Sequence, residues 1–185
     1  MRKLSVIVVA VLLLAGMATA QVPKGNVFFG YSYLNSDVVP DQRNSFNGWN
    51  ASLEGKLIPL IGIVGDFAGY YGTHGVPIPP CTGSGCPTFN LSQNTYTVMF
   101  GPRISATVGK LTPFAQALFG IGHINENTTG FSDSDTSFAT AVGGGVDYKL
   151  VPLLAWRFEG DYLHTNFFGN TQGDFRFSTG VVLHF

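Results

Sequence analysis

The chain has 185 residues, a length that suits one domain. Charged residues make up 11 %, well below the roughly one quarter of an ordinary soluble domain, whereas 24 glycines, 14 % aromatics and 45 % apolar residues are plentiful. Without Arg2 and Lys3, the 10 basic residues fall to 8 against 11 acidic, a formal charge of −3, so nucleic acid is not an expected partner.

Arg2 and Lys3 belong to a leader. They precede an apolar run from Leu4 to Ala15, broken only by Ser5, and Ala18-Thr19-Ala20 forms a small-x-small cleavage site. The run is too short to span a bilayer comfortably, so residues 1–20 read as a secretory signal peptide and residues 21–185 as the mature domain. No Cys follows the run, and a lipid anchor is not expected. Further on, no segment offers the ~20 apolar residues of a membrane helix; the longest run, Leu57 to Gly65, contains Pro59.

What recurs instead is alternation with a period of two, the signature of a strand between two environments. The first strand, about Asn26 to Leu34, sets Val27, Phe29, Tyr31 and Tyr33 against Gly30 and Ser32, and the polar stretch Asn35 to Asn47 reads as a loop. The second, Gly48 to Lys56, sets Trp49, Ala51, Leu53 and Gly55 against Asn50, Ser52, Glu54 and Lys56. The third, Leu60 to Tyr71, sets Ile61, Ile63 and Phe67 against Gly62, Val64, Asp66 and Ala68, before a long loop from Gly72 to about Leu91. Strand four, Asn94 to Ser105, sets Tyr96, Val98, Phe100 and Ile104 against Thr95, Thr97, Met99 and Arg103. Strand five, Thr112 to Ile124, sets Ala115, Ala117, Phe119 and Ile121 against Gln116, Gly120 and Gly122; an acidic loop, Asn125 to Ser137, follows. Strand six, Phe138 to Tyr148, sets Phe138, Val142 and Val146 against Ala139, Ala141, Gly143, Gly145 and Asp147. Strand seven, Leu153 to Asn166, sets Leu154, Trp156, Phe158 and Tyr162 against Arg157, Glu159 and Asp161. The last, Asp174 to Phe185, sets Phe175, Phe177, Thr179, Val181, Leu183 and Phe185 against Asp174, Arg176, Ser178, Gly180, Val182 and His184.

Lys56-Leu-Ile-Pro59, Lys110-Leu-Thr-Pro113 and Lys149-Leu-Val-Pro152 repeat one Lys-Leu-x-Pro sequence, each reading as a short turn, because Pro cannot continue a central ladder. Short turns at one end and long loops at the other are the layout of an outer-membrane barrel with periplasmic turns and extracellular loops. The aromatics fall at two heights. Tyr33, Trp49, Tyr71, Tyr96, Phe138, Tyr162 and Phe175 lie near the long loops, and Tyr148, Trp156 and Phe185 near the turns, as two interfacial girdles would. A soluble sandwich or lipocalin-like barrel is disfavoured, because the face opposite the aromatics carries both signs of charge and many glycines but few Lys or Glu. The predicted fold is all-β: an eight-stranded antiparallel up-and-down transmembrane β-barrel. The predicted location is the bacterial outer membrane.

In this fold Glu54, Asp66, Arg103, Asp147, Arg157, Glu159, Asp161 and Arg176 share the lumen. Eight strands enclose a space that side chains fill, so a structural network of paired charges is expected over a narrow pore for small solutes. Cys81 and Cys86, in Cys-Thr-Gly-Ser-Gly-Cys, read as a small disulfide loop in an oxidising compartment; a metal site is disfavoured, since only His74 is near. No phosphate-binding glycine loop or zinc signature is present, and no cofactor is expected. The long loops are candidate binding surfaces, because such residues concentrate on loops held by a rigid scaffold.

Gly143-Gly-Gly-Val-Asp-Tyr-Lys-Leu-Val-Pro152 and Trp156-Arg-Phe-Glu-Gly-Asp-Tyr162, with the leader and eight amphipathic strands, resemble the small outer-membrane β-barrel family. That family includes the OmpA transmembrane domain and the opacity-type surface proteins. The ending Ser178-Thr-Gly180-Val-Val-Leu183-His-Phe185 is similar to the family's barrel-assembly signal, polar-x-Gly-x-x-apolar-x-aromatic, with every position filled. The resemblance implies a monomer in contact with outer-membrane lipids and lipopolysaccharide, inserted by the barrel-assembly machinery, with a structural or surface-interaction role. OmpA continues into a peptidoglycan-binding domain, whereas this sequence ends at the barrel, so such tethering is not expected. Some similar barrels modify lipid A with a His, a Ser and an acidic residue. Here His74, His123, His164 and His184 are the only histidines, and neither His123 nor His164 has a Ser two residues away, so no catalytic residue is assigned.

Overall fold

The computed structural model describes residues 24–39, 42–77, 88–128, 131–166 and 172–185. The segment read as a signal peptide, and Cys81 and Cys86, lie outside these residues. Eight strands follow in order: β1 Gly25–Val39, β2 Gln42–Ile58, β3 Ile61–Pro77, β4 Thr88–Ser105, β5 Leu111–Thr128, β6 Phe131–Val151, β7 Leu154–Thr165 and β8 Gln172–His184. Each pairs antiparallel with the next, and β8 pairs antiparallel with β1 from Asn26↔His184 to Asn35↔Phe175, closing the barrel. At this seam Gly30 stands opposite Gly180, and a Cβ on Gly180 would collide with the Gly30 Cα. The backbones approach too closely there for a side chain.

The packing is inverted relative to a soluble domain. Phe29 (63 %), Phe100 (66 %) and Val142 (64 %) stand exposed on the outer wall, whereas the side chains of Arg103, Arg157 and Arg176 are fully buried inside. Strand residues that face hydrocarbon have no other place for their apolar groups, and a closed sheet leaves no unpaired backbone edge in lipid.

The strands run further than hydropathy alternation alone predicts. The stretches 35–47 and 125–137, expected as loops, are largely paired: Asn35↔Ser45 through Val39↔Gln42, and Asn125↔Ser134 through Thr128↔Phe131. In the 72–91 stretch, Gly72–Pro77 pairs with Thr88–Gln93. These hairpin stretches are rich in polar residues in both alternating sets, although Ser36, Phe46 and Gln93 are buried on the inward face. Their polar residues are held by ladder bonds without an apolar face to mark them.

The three Lys-Leu-x-Pro sequences do not all occupy the same place. In two of them Lys lies two residues before the strand end, Leu is the extra residue at a register shift (between Lys56 and Ile58, and between Lys149 and Val151), and Pro opens the turn. In the third, Gly109, at φ 65°, and Lys110 make the turn, and Leu111, Thr112 and Pro113 begin β5. Pro113 is tolerated in the ladder because its neighbour on that side is Ala106, just beyond the end of β4; Ala106 N donates to Pro113 O at 3.1 Å. Pro102 lies inside β4, where the pairing with β5 lapses between Phe100↔Phe119 and Arg103↔Gln116.

Val142, midway along β6 between Phe138 and Tyr148, faces lipid. Val142→Arg is expected to lower folding stability in vesicles by about 2–4 kcal/mol, against about 0–1 kcal/mol for Phe175→Arg near the rim, both read by urea titration.

Candidate functional site in the barrel lumen

The lumen is layered. Its centre is a charged layer built from inward positions of β2, β3, β4, β6, β7 and β8, which bring Glu54, Asp66, Arg103, Asp147, Arg157, Glu159, Asp161 and Arg176 together. Glu159 is the hub: Arg103 Nη2 and Arg176 Nη2 lie 3.4 Å from its carboxylate, and Arg157 Nη1 lies 3.6 Å away. Each arginine also has a closer carboxylate. Arg157 grips Asp147 through two bonds, of 2.7 and 2.8 Å. Arg176 donates to Asp66 at 2.6 Å and to Asp161 at 2.7 Å, and Arg103 donates to Glu54 at 3.2 Å. The planar, five-donor guanidinium suits such branching better than a lysine ammonium would.

Amides complete the layer. Gln116 accepts from Arg103 at 2.6 Å and donates to Asp161 at 2.9 Å and to Glu159 at 3.2 Å. Asn26 donates to Glu54 at 2.8 Å, and Asn50 donates to Asp66 at 2.9 Å. The rings of Phe114 and Phe28 lie against the guanidiniums: Arg103 and Arg157 stand 4.3 and 4.6 Å from the Phe114 centroid, and Arg157 stands 5.0 Å from that of Phe28.

Toward the long hairpins the lumen is closed by an apolar cluster that includes Leu34, Phe46, Tyr70, Met99, Leu118 and Leu163. Tyr70 links it to the seam, its hydroxyl 3.3 Å from Ser32 Oγ, which in turn lies 2.8 Å from Ser178 Oγ. Toward the turns the filling loosens. A cavity of about 110 Å³ lies below Arg103, lined by Glu54, Lys56, Asp147 and His184 among others. The lumen expected to hold a network of paired charges is thus a charged layer under an apolar cap. Asn26, Phe114, Leu118 and Leu163 went unassigned in the sequence reading, and Gln116 was placed on the inward face without a role. Phe114 and Leu118 share the period-two phase of Gln116, and Leu163 shares that of Asp161, which is the signal that places them inside.

The remaining candidates lie apart. Ser178 and Gly180 face the lumen side of β8, and Leu183 and Phe185 are exposed outside, with Phe185 N bonded to Gly25 O at 3.1 Å. His123 Nδ1 lies 2.6 Å from Thr136 Oγ1 on the outer wall, whereas Asp135, next along β6, projects to the other face. His164 lies on β7, opposite Thr140 of β6 and Gly173 of β8. No group of three or more His, Cys, Asp and Glu among the described residues has an arrangement fit for a metal.

Comparison with known proteins agrees with this architecture. The family profile described as "Outer membrane protein beta-barrel domain" matches residues 6–185. No curated protein matches in sequence. Among solved structures, the chain is similar to Neisserial surface protein A (13 % identity, TM-score 0.68, covering 87 % of this chain and 97 % of that one). It is also similar to Ail, the attachment invasion locus protein of Yersinia pestis, in complex with the heparin analogue sucrose octasulfate (15 % identity, TM-score 0.60, 88 % and 100 %). The outer membrane protease OmpT of Escherichia coli also shares the fold (8 % identity, TM-score 0.52, 91 % and 99 %).

Removing the hub should expose its dependence on charge. Glu159→Ala leaves three guanidiniums without their shared anion and is expected to cost about 3–5 kcal/mol of folding stability. Glu159→Gln, whose amide oxygen still accepts, should cost clearly less; urea unfolding in vesicles compares the two.

Proposed function

As the chain belongs to the outer membrane protein β-barrel family, an integral protein of the bacterial outer membrane, we propose that it works through its surface rather than through a pore or a reaction. The observation that carries this reading is the filled lumen. Three fully buried arginines, their carboxylates and an apolar cap occupy the space that a solute would need. The hairpins β1–β2, β3–β4 and β5–β6, by contrast, extend well past the lipid band. With the β7–β8 connection they make four extracellular loops on a scaffold made rigid by its core, and the short turns face the periplasm.

The hairpin end has an acidic balance. Asp37, Glu126, Asp133 and Asp135 lie there in β1, β5 and β6, against Arg43 in β2. A polysulfated ligand of the kind bound to Ail would be repelled, so the surface partner is neutral or cationic. We read the protein as non-catalytic, since neither His123 nor His164 has a Ser two residues away. Residues 1–20 are read as a cleaved leader, on their basic, apolar and small-residue order. Cys81–Cys86 is read as a disulfide, on the oxidising compartment of an exported chain. Ser178, Gly180, Leu183 and Phe185 fit the pattern of a barrel-assembly signal. The seam gives Gly180 a second reason to be small. A monomer is the expected state, held among outer-membrane lipids and lipopolysaccharide.

Two measurements test this reading. The refolded barrel in a planar bilayer is expected to give no stepwise conductance; steady single-channel steps would establish the pore instead. An epitope inserted between residues 82 and 85 should bind antibody on intact cells, whereas one at Pro59–Leu60 should not. The reverse pattern would invert the orientation.

A further inference from the structure

Charge is sorted along the barrel axis. The four lysines of the described residues, Lys24, Lys56, Lys110 and Lys149, all lie at the short-turn end. Among the described residues no side-chain carboxylate lies on the surface of that end; Glu54 and Asp147, the nearest, are buried in the lumen. The lysines also come in neighbouring pairs. Lys56 N donates to Lys24 O at 2.9 Å, and Lys149 N donates to Lys110 O at 2.8 Å. Like charges side by side on adjacent strands destabilise a sheet unless an anion offsets them.

At one of these pairs the surface is hollow. A cavity of about 610 Å³ is lined by Lys24, Lys56, Leu57, Ile58, Leu153 and Phe185, among others. One edge is cationic and the wall is aliphatic and aromatic, with Leu57 68 % and Leu153 65 % exposed. Lys56 Nζ donates to Ser105 Oγ at 2.5 Å and stands 3.7 Å from Glu54, which leaves ammonium hydrogens for another acceptor. Lys110 and Lys149 lie outside this cavity.

An apolar wall beside two cations, at the level where strands give way to turns, matches an amphiphile with a negative head. We propose that this cavity binds the headgroup of an anionic phospholipid, its phosphate between Lys24 and Lys56 and its acyl chains along Leu57, Ile58, Leu153 and Phe185. The volume takes a headgroup and glycerol while the chains continue into the bilayer. The proposal rests on the membrane placement above; the lipid belongs to the periplasmic leaflet if the turns face the periplasm.

Native mass spectrometry of the refolded full chain, released from nanodiscs of mixed phosphatidylglycerol and phosphatidylcholine, tests this. Phosphatidylglycerol should be retained preferentially. Lys24→Gln should lower its retention about fivefold, the effect expected of one lysine at an anionic surface. Leu153→Glu, which places a carboxylate in the wall, should lower it as well, whereas Lys110→Gln should leave it unchanged. Gel mobility before and after boiling shows that each variant is folded. Equal retention of the two lipids overturns the proposal, as does a Lys110→Gln effect as large as that of Lys24→Gln, which would mean diffuse attraction. Displacement of the lipid by inorganic phosphate also overturns it, in favour of a plain anion site. These readouts do not depend on which end faces the periplasm, so their failure leaves the epitope result standing.

Discussion

The structure depends on one constraint: in hydrocarbon, every backbone N–H and C=O must find its partner within the protein. For a chain of short alternating segments the solution is a sheet that closes on itself, here by pairing β8 with β1. Everything else follows from that closure. Once the wall is shut, its outer face must suit lipid, and apolar side chains that would form the core of a soluble domain turn outward. The interior is then too narrow for a channel and too wide to leave empty. It must be filled by whatever the inward positions supply.

What they supply is charge in a dry space, which is stable only when fully partnered. The solution is a branched one. Glu159 touches three guanidiniums, each guanidinium has a closer carboxylate of its own, and Gln116, Asn26 and Asn50 add further hydrogen bonds to the carboxylates. The pairs tie together strands distant in sequence; Arg176 meets Asp66 across 110 positions. A network of that reach holds strands that are not neighbours in the sheet, and the lateral ladder alone cannot do so. The same network blocks the lumen, which is why function is sought at the ends of the barrel.

Much of this was legible in the sequence. Period-two alternation gives all eight strands and places the eight charged residues on the inward face, because lipid outside and a polar lumen inside are two different solvents. It fails toward the hairpin tips: the paired stretches 35–39 and 125–128 look like loops, since polar residues occur in both alternating sets there. It also misjudges Lys110 to Pro113, where only Lys110 lies in the turn, beside Gly109, and the next three residues start a strand. The apolar cap was missed for another reason. Phe114 and Leu118 sit in the inward phase, but a reading that expects a polar lumen passes over them. Which carboxylate meets which arginine was never legible, since that depends on the stagger of strands around the barrel.

The account stands on which methyl groups meet lipid, and the unmodified protein can report this directly. In nanodiscs, nuclear Overhauser contacts from acyl-chain methylenes should reach the methyls of Leu53, Ile63, Val98, Val142 and Leu183. They should be absent at Leu34, Val64, Leu118, Leu163 and Val182. Lipid contacts at the second set, or their absence from the first, would contradict the inverted packing on which the lumen, the rims and the proposed role all depend.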